Sequence, residues 1–451
     1  MKLHFRAALL PEGWARDVLI TVEAGRIAAL AAGSTAPANA ECHALAVPGL
    51  PNLHSHAFQR AIAGRTERRG PGEDSFWSWR DVMYRSLGVM TPDDVEAIAA
   101  LAYVEMLESG FTRVGEFHYL HHAPDGRPHD EPAEMAFRIA AAASRTGLRL
   151  TLLPVFYAHA NFGGLPPMPG QRRFVSGLDG FARLLEGSAR AIAGLDGAGL
   201  GVAPHSLRAV TPEELAQVAA MRPGRPVHIH AAEQTREVED CLAWSGARPV
   251  QWLLDHAALD AHWCLIHATH MLPEETSRLA RSGATAGLCP VTEANLGDGV
   301  FDAGGWQAAG GAWGVGTDSN VSIAANGELR MLEYSQRLAR RGRNLMASAQ
   351  GASTGRCLLD AALAGGARAL GEAPPALRPG APADLVALRG ALDGSADEAL
   401  DRWIFASADR GVEAVWCAGR PVVRDGRHVA RDVVAARYAG TMRRLLDAAP
   451  C

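Results

Sequence analysis

The 451-residue chain has almost no lysine. Lys2 is the only one, and the other 43 basic residues among the 44 lysines and arginines are arginines. No lysine is therefore at hand in the body of the chain to bridge two metal ions as a carboxylated side chain, so any metal centre is expected to be mononuclear. Paired cysteines are also missing. Cys42, Cys241, Cys264, Cys289, Cys357, Cys417 and Cys451 form no C-x-x-C, and an odd, dispersed set in a chain of this length reads as reduced thiols, mostly small core residues. No run of about 18 uncharged apolar residues occurs, and the apolar stretch at the N-terminus is too short for a signal sequence. A cytoplasmic protein without membrane attachment is expected. The net charge of -5 gives no reason to expect nucleic acid or an anionic membrane as a partner. G-x-G-x-x-G is absent after the first buried strand, which argues against a dinucleotide-binding open sheet.

What is present is an alternation of strand-like and helix-like segments. After a strand ending near Leu53 comes a helical stretch from about Thr91 to Ser109, closed by Gly110. F-T-R-V-G-E-F is the second strand, Glu131 to Arg145 is helical, and L-R-L-T-L-L-P-V-F is the third strand. A helix around Phe174 to Ile192 follows, then G-L-G-V-A-P-H, and Thr211-Pro-Glu-Glu214 opens the next helix as a capping box with proline in its first turn. P-V-H-I-H, W-C-L-I-H-A, A-T-A-G-L-C and A-W-G-V-G-T-D are strands five to eight, with further helices near Pro273 to Ser282 and Glu328 to Arg341. Eight such repeats in about 320 residues predict an α/β fold, a closed (β/α)8 TIM-like barrel. Short apolar runs and turns at both ends of the chain predict a small β-sandwich built from the two termini. The expected boundaries are 1–48 and 373–451 for the two parts of that β-domain, the second including a terminal helix, and 49–372 for the barrel.

Within P-N-L-H-S-H-A-F-Q-R, His54 and His56 stand two apart, so on a strand they face the same way. His228 and His230 end the fifth strand, His267 the sixth, and Asp318 follows the eighth. A barrel carries its chemistry at the C-terminal ends of its strands. Three imidazoles and one carboxylate there fit a borderline-soft divalent ion, Zn²⁺ before others, with a position left for water. The expected ligands are His54, His56, His230 and Asp318. His228 lies farther from the mouth and is expected to be structural. Glu233, three residues past His230, is the best placed proton carrier in the chain, and Glu116 on the second strand is a lesser alternative as a bridge to a second ion.

The whole pattern, from V-E-A-G-R-I through P-G-L-P-N-L-H-S-H to P-G-A-P-A-D-L-V, resembles the amidohydrolase superfamily in its mononuclear deaminase branch. H-S-H-A-F-Q-R-A-I-A-G-R, F-W-S-W-R-D-V-M-Y and V-G-E-F-H-Y-L-H-H are similar to the formimidoylglutamate deiminases. That resemblance implies hydrolysis of N-formimidoyl-L-glutamate to N-formyl-L-glutamate and ammonia, in histidine degradation, by a cytoplasmic homodimer with one divalent ion per subunit. It makes Glu233, His267 and Asp318 catalytic. It places Gln59, Arg80, Tyr119, His205 and Arg208 around the glutamate portion. Arginine suits a dicarboxylate because its planar fork binds carboxylates bidentately. Arg80 is expected in an extended, Trp-rich loop from Gly64 to Asp81 that also carries Arg68, Arg69 and Trp77, and Arg208 in the loop after the fourth strand. Guanine-type and adenosine-type deaminases are the alternative. The combined H-x-E and P-C-x-x-C signature of the zinc cytidine deaminases is missing.

Overall fold

The computed structural model describes all residues except 71, 73, 391, 408–410 and 449–451. Cys451 thus lies outside the described residues. The molecule is a mixed α/β structure. Its centre consists of β1 (Leu50–Ser55), β2 (Phe111–His118), β3 (Arg149–Phe156), β4 in two pieces (Gly199–Leu200 and Ala203–Pro204), β5 (Val227–Ala231), β6 (Trp263–His267), β7 (Thr285–Leu288) and β8 (Ala312–Val315). All are parallel. These strands are buried nearly throughout, so their sequences are apolar runs without polar alternation. β1 to β4 form one hydrogen-bonded sheet and β5 to β8 another. Parallel bridges Val202–Val227 and Ser206–His230 connect β4 to β5. At the other seam His56 N donates to Asp318 O (2.9 Å) and Asp318 N to His54 O (3.0 Å), so the parallel bonding runs on from the last strand to the first.

Between the strands Leu53 packs with Cys264, Ile266, Cys289, Ala369 and Leu370. Small neighbours make the room. A Cβ on Gly115, Gly287 or Gly314 would lie 2.4, 2.9 or 2.6 Å from atoms of Leu53. Around this centre run the helices. Thr91 caps Pro92–Ser109 in a box with Asp94, and that helix stops at Gly110, whose φ of 105° an L side chain avoids. Thr211 and Glu214 cap Pro212–Ala220 in the same way, as the sequence predicts. The helix Pro273–Ser282 has its predicted limits.

Four boundaries differ, the first being that of the helix expected from Glu328 to Arg341, which spans Ala325–Arg340. The helix expected from Glu131 begins at Glu134, and the one expected from Phe174 begins at Leu178, because Phe174 is withdrawn into the core. The stretch expected as a loop from Gly64 to Asp81 runs into a helix, Phe76–Leu87, whose N-cap Ser75 forms a capping box with Ser78. Its buried residues Phe76, Met83 and Leu87 recur at 7 and 4 residues, one helical face. The glycines and proline before it disguised that period. Arg80 and Trp77 are therefore on a helix.

The two chain ends meet in one eight-stranded sheet. Its order is Arg427–His428, Arg420–Arg424, Val412–Cys417, Leu385–Leu388, Glu41–Pro48, Lys2–Leu10, Gly13–Glu23, Arg26–Ala31. Strand alternation splits its side chains between two cores. Leu3, Phe5, Ile20, Leu385 and Trp416 pack among themselves, while Leu9, Leu45, Val47, Val386 and Leu388 join the main core. The terminal helix Arg431–Ala448 lies near Pro92–Ser109, with Arg437 on Glu96 and Arg444 on Asp94. Among the described residues no helix is long and apolar enough to cross a membrane. Six free cysteines are described, four of them buried.

Candidate active site

His54 is the last histidine inside β1, and His56 is one residue beyond its end. The chain turns there into the short 3-10 helix Ala57–Ile62. The two rings nonetheless converge, with Nε2 atoms 3.2 Å apart, and His230 Nε2 at the end of β5 is 3.2 Å from His54 Nε2. Asp318 Oδ1 completes the group at 3.3 Å from His54 and 3.1 Å from His56. One atom from each of the four lies within 4.8 Å of the others. His56 Nδ1 donates to Phe117 O (2.8 Å) and His230 Nδ1 to His205 O (2.9 Å). Their protons are thereby fixed on Nδ1, and the Nε2 lone pairs point inward. Burial pushes the His54 pKa down to about 3 and that of His230 well below its usual range, so both rings are neutral. Despite burial, the His54 and His56 rings beside it draw the Asp318 carboxyl well below its usual range. Lone pairs facing one another across about 3 Å beside a carboxylate are a donor set that a divalent cation fits. Asp318 reaches them because residue 316 is glycine: a Cβ there would sit 2.7 Å from His54 O and 2.8 Å from His54 N.

His228 is turned elsewhere. Its Nε2 meets Ala369 O at 2.7 Å, and the ring takes no part in the four-residue cluster. Glu116 is likewise occupied, accepting from Ala57 N (2.7 Å) and Tyr103 OH (3.1 Å).

Beside the cluster, His267 Nε2 is 3.8 Å from Glu233 Oε1, and its Nδ1 is 3.2 Å from Glu293 Oε1. Burial would lower the His267 pKa, but the facing Glu233 and bonded Glu293 carboxylates raise it to about 10. Burial raises Glu233 to about 7. Backbone strain gathers here as well. Ala232, His267, Ala268, Asp318 and Asn320 have φ of 51°, 68°, 49°, 41° and 56°, a region costing of order 1–3 kcal/mol for each such residue. Glu293 was invisible in the sequence, where an acid in the first turn of Pro290–Leu296 reads as a helix cap.

A cavity of about 50 Å³ opens onto these groups. His56, Gln59, Arg80, Tyr119, His205, Arg208, His230, Glu233, His267 and Asp318 all line it, which brings together the expected pocket and the expected catalytic residues. Tyr157 and Phe174 line it too, as do Trp79, Met83 and Tyr84 of F-W-S-W-R-D-V-M-Y, none of which the sequence singles out as a pocket residue. Gln59 Nε2 donates to Tyr119 OH (2.7 Å). Arg80 and Arg208 are the two cations of the wall, and Nε of each is buried without a hydrogen-bond partner. In V-G-E-F-H-Y-L-H-H only Tyr119 is in the wall. His118, His121 and His122 bond through Nε2 to the carbonyls of Leu120, Val155 and Val175.

Comparison with known proteins gives the family. Residues 45–422 match the model of the amidohydrolase family, and residues 2–44 match that of the N-terminal domain of formimidoylglutamate deiminase HutF. The formimidoylglutamate deiminase of Pseudomonas aeruginosa is 50% identical over 448 residues, 98% of each chain. A 5-methylthioadenosine/S-adenosylhomocysteine deaminase of Natronomonas pharaonis is 30% identical over 82% of this chain and 79% of its own. Among solved structures, an amidohydrolase from Brucella melitensis superposes with a TM-score of 0.96 at 54% identity over 99% of both chains. An adenosine deaminase from Xanthomonas campestris, at 22% identity and a TM-score of 0.81 over 99% of this chain and 98% of its own, shares the fold. The chain belongs to the amidohydrolase family, and within it to the formimidoylglutamate deiminases.

Proposed function

We propose that the protein hydrolyses N-formimidoyl-L-glutamate to N-formyl-L-glutamate and ammonia, a step of histidine degradation, with one Zn²⁺ held by His54, His56, His230 and Asp318. The scaffold in this reading is a (β/α)8 barrel over 49–372 beside a β-sandwich made from 1–48 and 373–451, and the active form is a cytoplasmic homodimer. Three imidazole nitrogens and one carboxylate oxygen support zinc over harder ions. The observation that carries the substrate is the pair Arg80 and Arg208. Both face the cavity with no acid bonded to them, which suits a dicarboxylate and not a purine.

An ion held by His54, His56, His230 and Asp318 would supply Lewis acidity and lower the pKa of the attacking water. Asp318 takes up the proton of the attacking water, and His267, held in its protonated form by Glu233 and Glu293, orients that water as a donor. Glu293, on His267 Nδ1, keeps the other ring nitrogen turned toward Glu233 and the cavity. Oxygen adds to the formimidoyl carbon. Glu233, whose pKa near 7 lets it both accept and give a proton, passes one to the terminal nitrogen. That C–N bond breaks, ammonia leaves, and the formyl amide remains on glutamate. Gln59, Tyr119 and His205 hold the glutamate portion together with the arginines. The test is ammonia release from purified protein with N-formimidoyl-L-glutamate, guanine, adenosine and cytosine, before and after chelation. Chelator-sensitive ammonia from formimidoylglutamate alone is expected. Ammonia from a nucleobase or nucleoside instead overturns the dicarboxylate reading.

A further inference from the structure

Trp77 has no place in the mechanism and does not line the cavity. It sits instead among three guanidinium groups. The Arg80 group lies 4.5 Å from the centre of its ring, the Arg236 group 4.9 Å and the Arg208 group 5.7 Å. They come from three places in the fold: Arg80 from the same helix Phe76–Leu87, Arg208 from the loop after β4, and Arg236 from the first turn of the helix Thr235–Ser245. Arg208 is buried, whereas Arg236 is exposed and Trp77 half-buried, so the ring stands between the cavity wall and solvent.

An arginine withdrawn from solvent is ordinarily held by a carboxylate. Here buried Arg208 and half-buried Arg80 form no ion pair among the described residues, and their Nε atoms are unbonded. Aromatic rings stand against them instead: both face Trp77, and Arg80 also lies 5.5 Å from the centre of the Tyr84 ring. An aromatic face attracts a guanidinium through the ring quadrupole and leaves the N–H groups, which lie in the guanidinium plane, free at its edge. A carboxylate in the same position would occupy that edge and neutralise the charge. We propose that Trp77 is a positioning residue for the substrate carboxylates, keeping Arg80 and Arg208 oriented and unneutralised, with Arg236 stacked on the ring from outside. This deepens the dicarboxylate reading and rests on it. The discrimination between a substrate with two carboxylates and one with none should then depend on an aromatic ring at position 77, although that ring lines no part of the cavity.

The experiment uses the metal-loaded, full-length enzyme and two substrates, N-formimidoyl-L-glutamate and N-butylformamidine, which has the same reacting group and no carboxylate. Trp77→Ala should raise KM for formimidoylglutamate about tenfold or more, the scale of a desolvated cation–π contact, with kcat changed less than about threefold. Trp77→Phe should recover most of the loss. Arg236→Gln should raise KM about threefold. Activity on N-butylformamidine should be the same in all four proteins. An unchanged KM in Trp77→Ala, an equal loss on both substrates, or no recovery with Trp77→Phe overturns the proposal; the last two would make the ring a folding element only. Wild-type protein with no preference for formimidoylglutamate over N-butylformamidine refutes the dicarboxylate reading itself, and the role of Trp77 with it. Should Trp77→Ala not fold, the Trp77→Phe and Arg236→Gln enzymes carry the comparison, and wild-type KM in both overturns it.

Discussion

Gly316→Ala tests the seam on which the metal cluster depends. Gly316 has an ordinary backbone conformation, so alanine brings no dihedral strain; the effect is steric alone. The new methyl would lie 2.7 Å from His54 O, 2.8 Å from His54 N and 2.9 Å from His54 Cβ. Ordinary contact begins near 3.4 Å, so β8 must withdraw from β1 by about 0.7 Å. Two of these obstacles are backbone atoms of a buried strand and the third is a Cβ fixed to it, so none has a rotamer to move into. Overpacking of this kind costs about 1–3 kcal/mol. The displacement also separates Asp318 from His54 and His56, now at 3.3 and 3.1 Å, beyond the ~0.5 Å tolerance of a preorganised site. A misplacement near 1 Å lowers turnover about 10²-fold. The assay is kcat/KM on formimidoylglutamate with metal content measured on the same sample, alongside thermal unfolding. Gly177→Ala is the control, since nothing lies within 4 Å of its added Cβ. A Gly316→Ala enzyme with full metal and wild-type kcat/KM refutes the idea that this close approach builds the site.

Glu233→Gln keeps the shape and removes the proton carrier, so kcat should fall 10²–10⁴-fold while metal stays bound; metal analysis and steady-state rates decide, and full activity removes Glu233 from that role. Asp318→Ala should lose metal and activity together, and its melting temperature should no longer respond to added Zn²⁺ as the wild type's does; a retained response would place the ion elsewhere. The pH dependence of stability follows from His118, which burial pushes down to about 4, its Nε2 bonded to Leu120 O. Below pH 6.5 the unfolded chain takes up a proton that the folded ring refuses until about pH 4. Stability is therefore whole above pH 6.5 and falls by ~3 kcal/mol from this ring as pH drops between those values. Denaturant unfolding of wild type and His118→Gln at pH 7.5 and 5 measures it, and an identical pH loss in both would show that His118 is not the group.

The sequence by itself determined the strand–helix alternation, because fully buried parallel strands must be apolar runs and helix ends must be capped by Thr91 and Thr211. It also pointed to the four residues that the fold gathers into one candidate metal site. Residues two apart on a strand share a face, and the lack of lysine left no bridge for a second ion. Tertiary structure decided what no local pattern encodes. The period of Phe76–Leu87 was masked by the glycines before it, so the position of Arg80 on a helix emerged only from packing. Glu293 acquires meaning solely because β6 and the chain after β7 bring it to His267, 26 residues away in sequence. Histidines in one string separated by their neighbours: His118, His121 and His122 satisfy backbone carbonyls, while Tyr119 alone turns to the pocket. The left-handed backbone at His267 and Asp318 belongs to this class too, since its cost is met by the surrounding packing and not by the residues that bear it.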